Sequence, residues 1–242
     1  MINKKPKVGI FSLASCEGCI VQILNLEDQI LDLISKVDIV DFRVLKEEKE
    51  KVPLDVAFIE GCITSEKDVK KVKELRENSK ILVALGECAC TGGKFLVKDF
   101  KNHENPLQLK EALVNAQPLD QYVTVDYYLY GCPIDKNEFL ELFKNLLIGK
   151  TPRPKSYNVC AECILHEKAC LIEAGLPCLG PIIRGGCNAI CPSVGKECIG
   201  CRGLAEDANI DSLIEIFQKH KIEVPSFLKH LQKLQKSEVE RR

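Results

Sequence analysis

Fourteen of the 242 residues are cysteine, and their spacing is that of metal ligands. In the first 150 residues they stand as Cys16-x2-Cys19, Cys62, Cys88, Cys90 and Cys132. Eight more crowd into 42 positions, as Cys160-x2-Cys163-x6-Cys170-x7-Cys178 and Cys187-x3-Cys191-x6-Cys198-x2-Cys201. A Cys-x-x-Cys pair lets two thiolates reach one metal centre, and four thiolates satisfy an iron-sulfur cubane. The eight later cysteines suffice for two four-iron sites, and Cys191-Pro192 repeats a step found in ferredoxin ligand loops. Which four share each site stays open on spacing alone, because neighbouring clusters can exchange ligands.

Other uses of cysteine compete. Cys16-Glu17-Gly18-Cys19 at a strand-to-helix turn also suits a dithiol redox site, and four thiolates would bind a single zinc ion. Zinc fingers normally interleave strands or a helix with their ligand pairs, which the later array does not do. Disulfide scaffolds belong to short secreted chains, whereas the first 150 residues read as an ordinary layered domain. The segment Met1-Ile2-Asn3-Lys4-Lys5-Pro6-Lys7 carries no export pattern and no apolar run reaches membrane-spanning length, so the expected location is the cytoplasm, away from membranes. With 34 basic and 35 acidic residues there is no field to attract nucleic acid.

Elements must bring the first cysteines together. Lys7 to Leu13 is a short apolar run ending at Cys16, and strand-like runs recur at Val37 to Phe42, Val56 to Ile59, Ile81 to Leu85 and around Tyr122 to Tyr130. Ile20, Ile23, Leu24, Ile30, Leu31 and Ile34 predict one amphipathic helix. A second runs from about Ser65 to Asn78, opened by a Ser65/Asp68 capping pattern, and a third from Lys136 to Ile148. Alternating strands and helices imply a flavodoxin-like parallel sheet over residues 1–150, with cysteines in the turns beyond the strand ends, where such sheets bind ligands. Glycines such as Gly86 and Gly131 admit the close approach a bulky inorganic group needs.

The stretch Gly149-Lys150-Thr151-Pro152-Arg153-Pro154 reads as a stiff linker. Residues 151–205 form a small cysteine-rich, ferredoxin-like domain that depends on metal for its order. A helical tail over 206–242 carries two amphipathic stretches, one around Leu213, Ile214 and Phe217 and one at Phe227, Leu228, Leu231 and Leu234.

Cys16-Glu17-Gly18-Cys19, Glu60-Gly61, Gly86-Glu87-Cys88-Ala89 with Gly92-Gly93, Gly131-Cys132-Pro133 and the later array together resemble the small subunits of cytoplasmic nickel-iron hydrogenases. The likeness covers almost the whole chain and is nearest to sulfhydrogenase delta subunits and methanogen hydrogenase small subunits. It implies three [4Fe-4S] clusters on twelve cysteines: a proximal one on Cys16, Cys19, Cys88 and Cys132, a distal one on Cys160, Cys163, Cys170 and Cys178, and a medial one on Cys187, Cys191, Cys198 and Cys201. Cys160 stands where exported members use histidine, and Cys191 supplies a ligand where they hold a three-iron centre. Cys62 and Cys90 are left as structural thiols, and His166 as a solvated loop residue.

The resemblance further implies that the nickel-iron centre lies in a separate large subunit and that flavin or iron-sulfur subunits follow. NAD(P), ferredoxin, a deazaflavin, polysulfide or a heterodisulfide reductase could take the electrons. No G-x-G-x-x-G turn or P-loop places a nucleotide on this chain. Glu17 reads as a helix N-terminal acid, with proton transfer at the large-subunit interface as its functional alternative. A complex I-like or membrane-bound hydrogenase-related electron-transfer subunit, which has the proximal site alone, and a zinc-binding scaffold are the rival readings.

Overall fold

The computed structural model describes residues 5–42, 52–93, 116–153, 155–225 and 228. The chain divides into two compact units, Met1–Pro154 and Lys155–Arg242.

In the first unit five strands, β1 (Lys7–Ser12), β2 (Asp38–Phe42), β3 (Leu54–Glu60), β4 (Ser79–Leu85) and β5 (Tyr127–Leu129), form one sheet in the order β2-β1-β3-β4-β5. Every neighbouring pair is parallel. That order is the flavodoxin-like doubly wound one, whose switch point lies between β1 and β3.

Alternate residues of each strand point to opposite faces, and here both faces are covered. Val8, Ile10, Val56, Phe58, Val83 and Leu85 pack against α1 (Gly18–Leu24), α2 (Asp28–Lys36) and α5 (Lys136–Leu147). Phe58 meets the rings of Phe139 and Phe143 at centroid distances of 5.3 and 5.4 Å. Ile59, Leu82 and Ala84 pack on the other face against Val69 and Val72 of α3 (Glu66–Glu77) and Ala89 of the short helix α4 (Gly86–Thr91).

The Ser65/Asp68 capping box is present, with both reciprocal bonds formed. Two expectations need correction. The apolar pattern from Ile20 to Ile34 is two helices, because the chain turns at Glu27 with φ 54. The turn carries Leu26 into the core and leaves Leu31 65 % exposed. The strand expected around Tyr122 to Tyr130 is confined to Tyr127–Leu129. Just before it the Asp126 side chain accepts the Leu82 N–H at 2.7 Å, so a carboxylate takes a bond that a longer strand would have made.

The second unit is built from short pieces. These are α6 (Val159–Cys163), α7 (Ile190–Ser193), α8 (Ile210–Lys219) and single turns of 3-10 helix at Ile164–His166 and Gly180–Ile182. Val159, Leu179, Ile182, Ile183, Ile210, Leu213 and Phe217 are buried. Asn209 caps α8 by accepting the Ser212 N–H. Of the stretch expected at Phe227 to Leu234, only Leu228 lies within the described residues. No helix among the described residues is long and apolar enough to cross a membrane.

Candidate metal centres

None of the fourteen cysteines is in a disulfide. In the sheet unit, Cys16 and Cys19 follow β1, Cys62 follows β3, Cys88 and Cys90 lie on α4 immediately after β4, and Cys132 follows β5. They are therefore gathered at the carboxyl end of the sheet by strands that are neighbours in it.

Local structure explains how the thiols fit there. The buried Glu60 carboxyl, last residue of β3, accepts the backbone N–H groups of Cys19 at 3.1 Å and Ile20 at 3.3 Å. It thereby fixes the start of α1, the helix that carries Cys19. Gly86 opens α4 at φ +79, and a Cβ there would stand 2.4 Å from the Cys19 sulfur. Only glycine lets β4 turn so close to that thiol. The Glu87 N–H donates to the Gly131 carbonyl at 2.8 Å, tying the Cys88 turn to the Cys132 turn. Cys62 is joined to Ala14 by an isolated antiparallel bridge.

These sulfurs share one electrostatic neighbourhood. Burial first, and then the neighbouring Cys62, Cys132 and Cys16, together push the Cys88 thiol up to about 12. The Cys19 thiol is raised by burial, then by Glu60, with Cys88 adding to it. Cys19 and Cys88, each raised and each raising the other's surroundings, are a poor resting arrangement and good metal ligands, since a metal centre replaces thiol protons and neutralises the repulsion between thiolates.

The two leftover cysteines behave differently. Cys90 is buried, and its S–H lies 3.5 Å from the Ala84 carbonyl and 3.6 Å from that of Leu129. Cys62 donates to the Ala14 carbonyl at 3.4 Å, although it is also the foremost electrostatic neighbour of Cys88.

The second unit repeats the pattern. The Cys160 residue is exposed, yet its sulfur turns in against Gly180, where a Cβ would meet it at 3.2 Å and the Cys178 sulfur at 3.5 Å. Desolvation pushes the Cys160 thiol up to about 12, helped by Cys178, Cys163 and Cys170. Cys198 is raised by burial and by Cys178, Cys201 and Cys187. Cys178 thus borders both sets, and its sulfur accepts the Cys198 N–H at 3.3 Å. Cys191 is half-buried on α7.

Among the described residues no three His, Cys, Asp or Glu side chains converge tightly enough to grip one metal ion.

Residues 16–146 match the family described as the 20 kDa subunit of NADH ubiquinone oxidoreductase. Over 223 residues the chain is 36 % identical to sulfhydrogenase 2 subunit delta of Pyrococcus furiosus, covering 88 % of this chain and 92 % of that protein. The chain belongs to the nickel-iron hydrogenase small-subunit family. This small subunit is also 32 % identical to an F420-non-reducing hydrogenase subunit of Methanocaldococcus jannaschii, with 84 % of this chain and 83 % of that one covered. The crystal structure of an NAD+-reducing [NiFe]-hydrogenase in the H2-reduced state contains a chain that matches 62 % of it. That match covers 95 % of the other chain at 26 % identity and TM-score 0.52. The small subunit is accordingly part of an oxidoreductase, and its relatives are subunits of hydrogenases.

Three side chains carry more than the sequence suggested. His166 is half-buried and donates Nε2–H to the Asn188 carbonyl at 2.8 Å, so it is anchored and not a freely solvated loop residue. Glu60 and Glu162 are buried acids beside cysteine loops. The signal for Glu60 was an acid ending the wholly apolar run Val56-Ala57-Phe58-Ile59, where burial without a task is costly. Glu17 is the N-cap residue of α1 at φ 59, and its side chain does not cap the helix.

Proposed function

We propose that this small subunit is the electron-transfer arm of a nickel-iron hydrogenase complex. Cys16, Cys19, Cys88 and Cys132 would hold a proximal [4Fe-4S] cluster, Cys160, Cys163, Cys170 and Cys178 a distal one, and Cys187, Cys191, Cys198 and Cys201 a medial one. What supports the reading is the gathering of thiols outside any disulfide into shared neighbourhoods, with Gly86 and Gly180 leaving room beside the sulfurs. When bound, four-iron clusters supply reversible one-electron storage.

The protein's own residues then have distinct tasks. Glu60 fixes the backbone of Cys19, and the Glu87 to Gly131 bond keeps the Cys88 and Cys132 turns in register. Cys178, bordering both later sets, is where the two would approach most closely. In this reading residues 1–150 form the proximal-cluster domain, 151–205 the two-cluster domain and 206–242 a helical tail. A large subunit carrying the nickel-iron centre covers the carboxyl end of the sheet. Flavin or iron-sulfur subunits take electrons onward to NAD(P), ferredoxin or a comparable acceptor. We place the complex in the cytoplasm.

Anaerobic isolation followed by iron and sulfide analysis tests the assignment. About 12 iron atoms per chain are expected, four for each of three clusters, and stoichiometric zinc in their place would sink it. The isolated chain should neither consume nor produce hydrogen, activity appearing only with the large subunit. Hydrogen-dependent dye reduction by the pure chain would refute the division of labour.

A further inference from the structure

We propose that Glu162 is a positioning residue that fastens the Cys187 loop to the helix bearing Cys160 and Cys163, so that one cluster's ligand helix holds the other cluster's ligand loop in shape. The inference rests on the reading that these eight thiols hold two clusters.

Glu162 lies on α6 between two ligands of one set, yet its partners lie around a ligand of the other. The side chain is buried. One carboxyl oxygen accepts the Gly186 N–H at 2.6 Å and the Tyr157 hydroxyl at 3.1 Å. The other accepts the Ala189 N–H at 3.1 Å and faces the Cys187 sulfur at 3.9 Å. Three residues after Cys163, the His166 ring donates to the Asn188 carbonyl. Residues 186, 188 and 189 are thus all gripped from the segment that carries Cys160 and Cys163. From the other side Arg202, next to Cys201, donates Nε–H to the Gly185 carbonyl at 2.8 Å.

The loop needs such a grip. Asn188 and Ala189 are consecutive non-glycine residues in the left-handed region, at φ 54 and φ 46. That region is unfavourable for a residue with a Cβ, for Ala189 more than for Asn188, and backbone of that kind persists only where its surroundings over-determine it. The Ala189 N–H that Glu162 accepts belongs to the second of them. If the carboxyl only satisfied its own burial, its bonds could go to its own helix. Instead they go to the two backbone donors that bracket Cys187.

The test compares full-length chains loaded anaerobically: wild type, Glu162→Ala, Glu162→Gln, and the reference variants Cys160→Ser and Cys187→Ser. Iron per chain and the electron paramagnetic resonance spectrum of the reduced protein are the readouts. Glu162→Ala is expected to lose about four of about twelve irons, and its missing signal should match that missing from Cys187→Ser. Glu162→Gln, in which one of the two backbone donors loses its acceptor, should keep its iron and shift that same signal. A loss or shift matching Cys160→Ser would show that Glu162 serves only its own helix and would overturn the proposal. So would spectra from both variants that superimpose on wild type. If Glu162→Ala does not fold, Glu162→Gln decides by the same comparison. Should neither reference variant differ from wild type, the two-cluster reading itself fails and takes the proposal with it.

Discussion

At the scale of single residues, Cys62 and Cys90 are thiols whose S–H groups reach backbone carbonyls. Cys90 has two within reach, those of Ala84 and Leu129, and Cys62 has one, that of Ala14. We predict that Cys88→Ser removes about four irons while Cys62→Ser and Cys90→Ser remove none, as measured by iron analysis. Because Cys62 is the foremost electrostatic neighbour of Cys88, iron loss from the Cys62 variant would mean that the wrong thiol was excluded. Gly86→Ala should be as harmful as losing a ligand. Its methyl would press into the Cys19 sulfur at a left-handed φ, destabilising the apoprotein by about 1–2 kcal/mol and emptying the first site. Thermal unfolding of the apoprotein beside iron content of the loaded form reads both effects. The cysteine spacing made the candidate ligands legible beforehand. Glu60 left a trace as an acid closing an apolar run, but Glu162 and the anchoring of His166 were not legible, because their roles depend on backbone N–H and carbonyl groups that no side-chain pattern reveals.

Among the elements, α3 shows a local signal surviving into the fold. The Asp68 carboxylate accepts the N–H and hydroxyl of both Thr64 and Ser65. Burial alone would raise its pKa, but these bonds outweigh burial and hold it below the ordinary value. Asp68→Ala should cost about 1 kcal/mol at neutral pH, measurable by denaturant unfolding. The contribution is present above the ordinary aspartate pKa of about 4 and is lost as pH falls through the lower folded value. The variant should therefore lose less stability than wild type on acidification, and an equal loss would count against this role for Asp68. Capping and strand positions were readable because they rest on neighbours in sequence. The break at Glu27 and the short β5 were not, since a helical apolar period continues across the first. In the second, Asp126 substitutes for strand pairing with a side chain.

For the whole molecule, the contrast lies between a sheet buried on both faces and a unit of short helices and turns around eight thiols. Removing iron should make residues 155–225 sensitive to protease well before the sheet unit yields, because metal binding supplies much of the folding free energy of such segments. Limited proteolysis of apo and loaded chains decides it, and equal resistance of the two regions without iron would overturn it. The strand order also bears on how the protein is made. β1, the first of these five strands to leave the ribosome, lies inside the sheet between β2 and β3, and the four thiols proposed for the proximal cluster come from turns as distant in sequence as Cys16 and Cys132. That site therefore comes into being only when β5 has joined the edge, so an iron donor meeting a nascent chain finds nothing complete to fill. The later eight thiols emerge in quick succession and depend on no such wait. Chains halted before Tyr127 should take up no cluster, which makes completion of the sheet the checkpoint for proximal-site maturation.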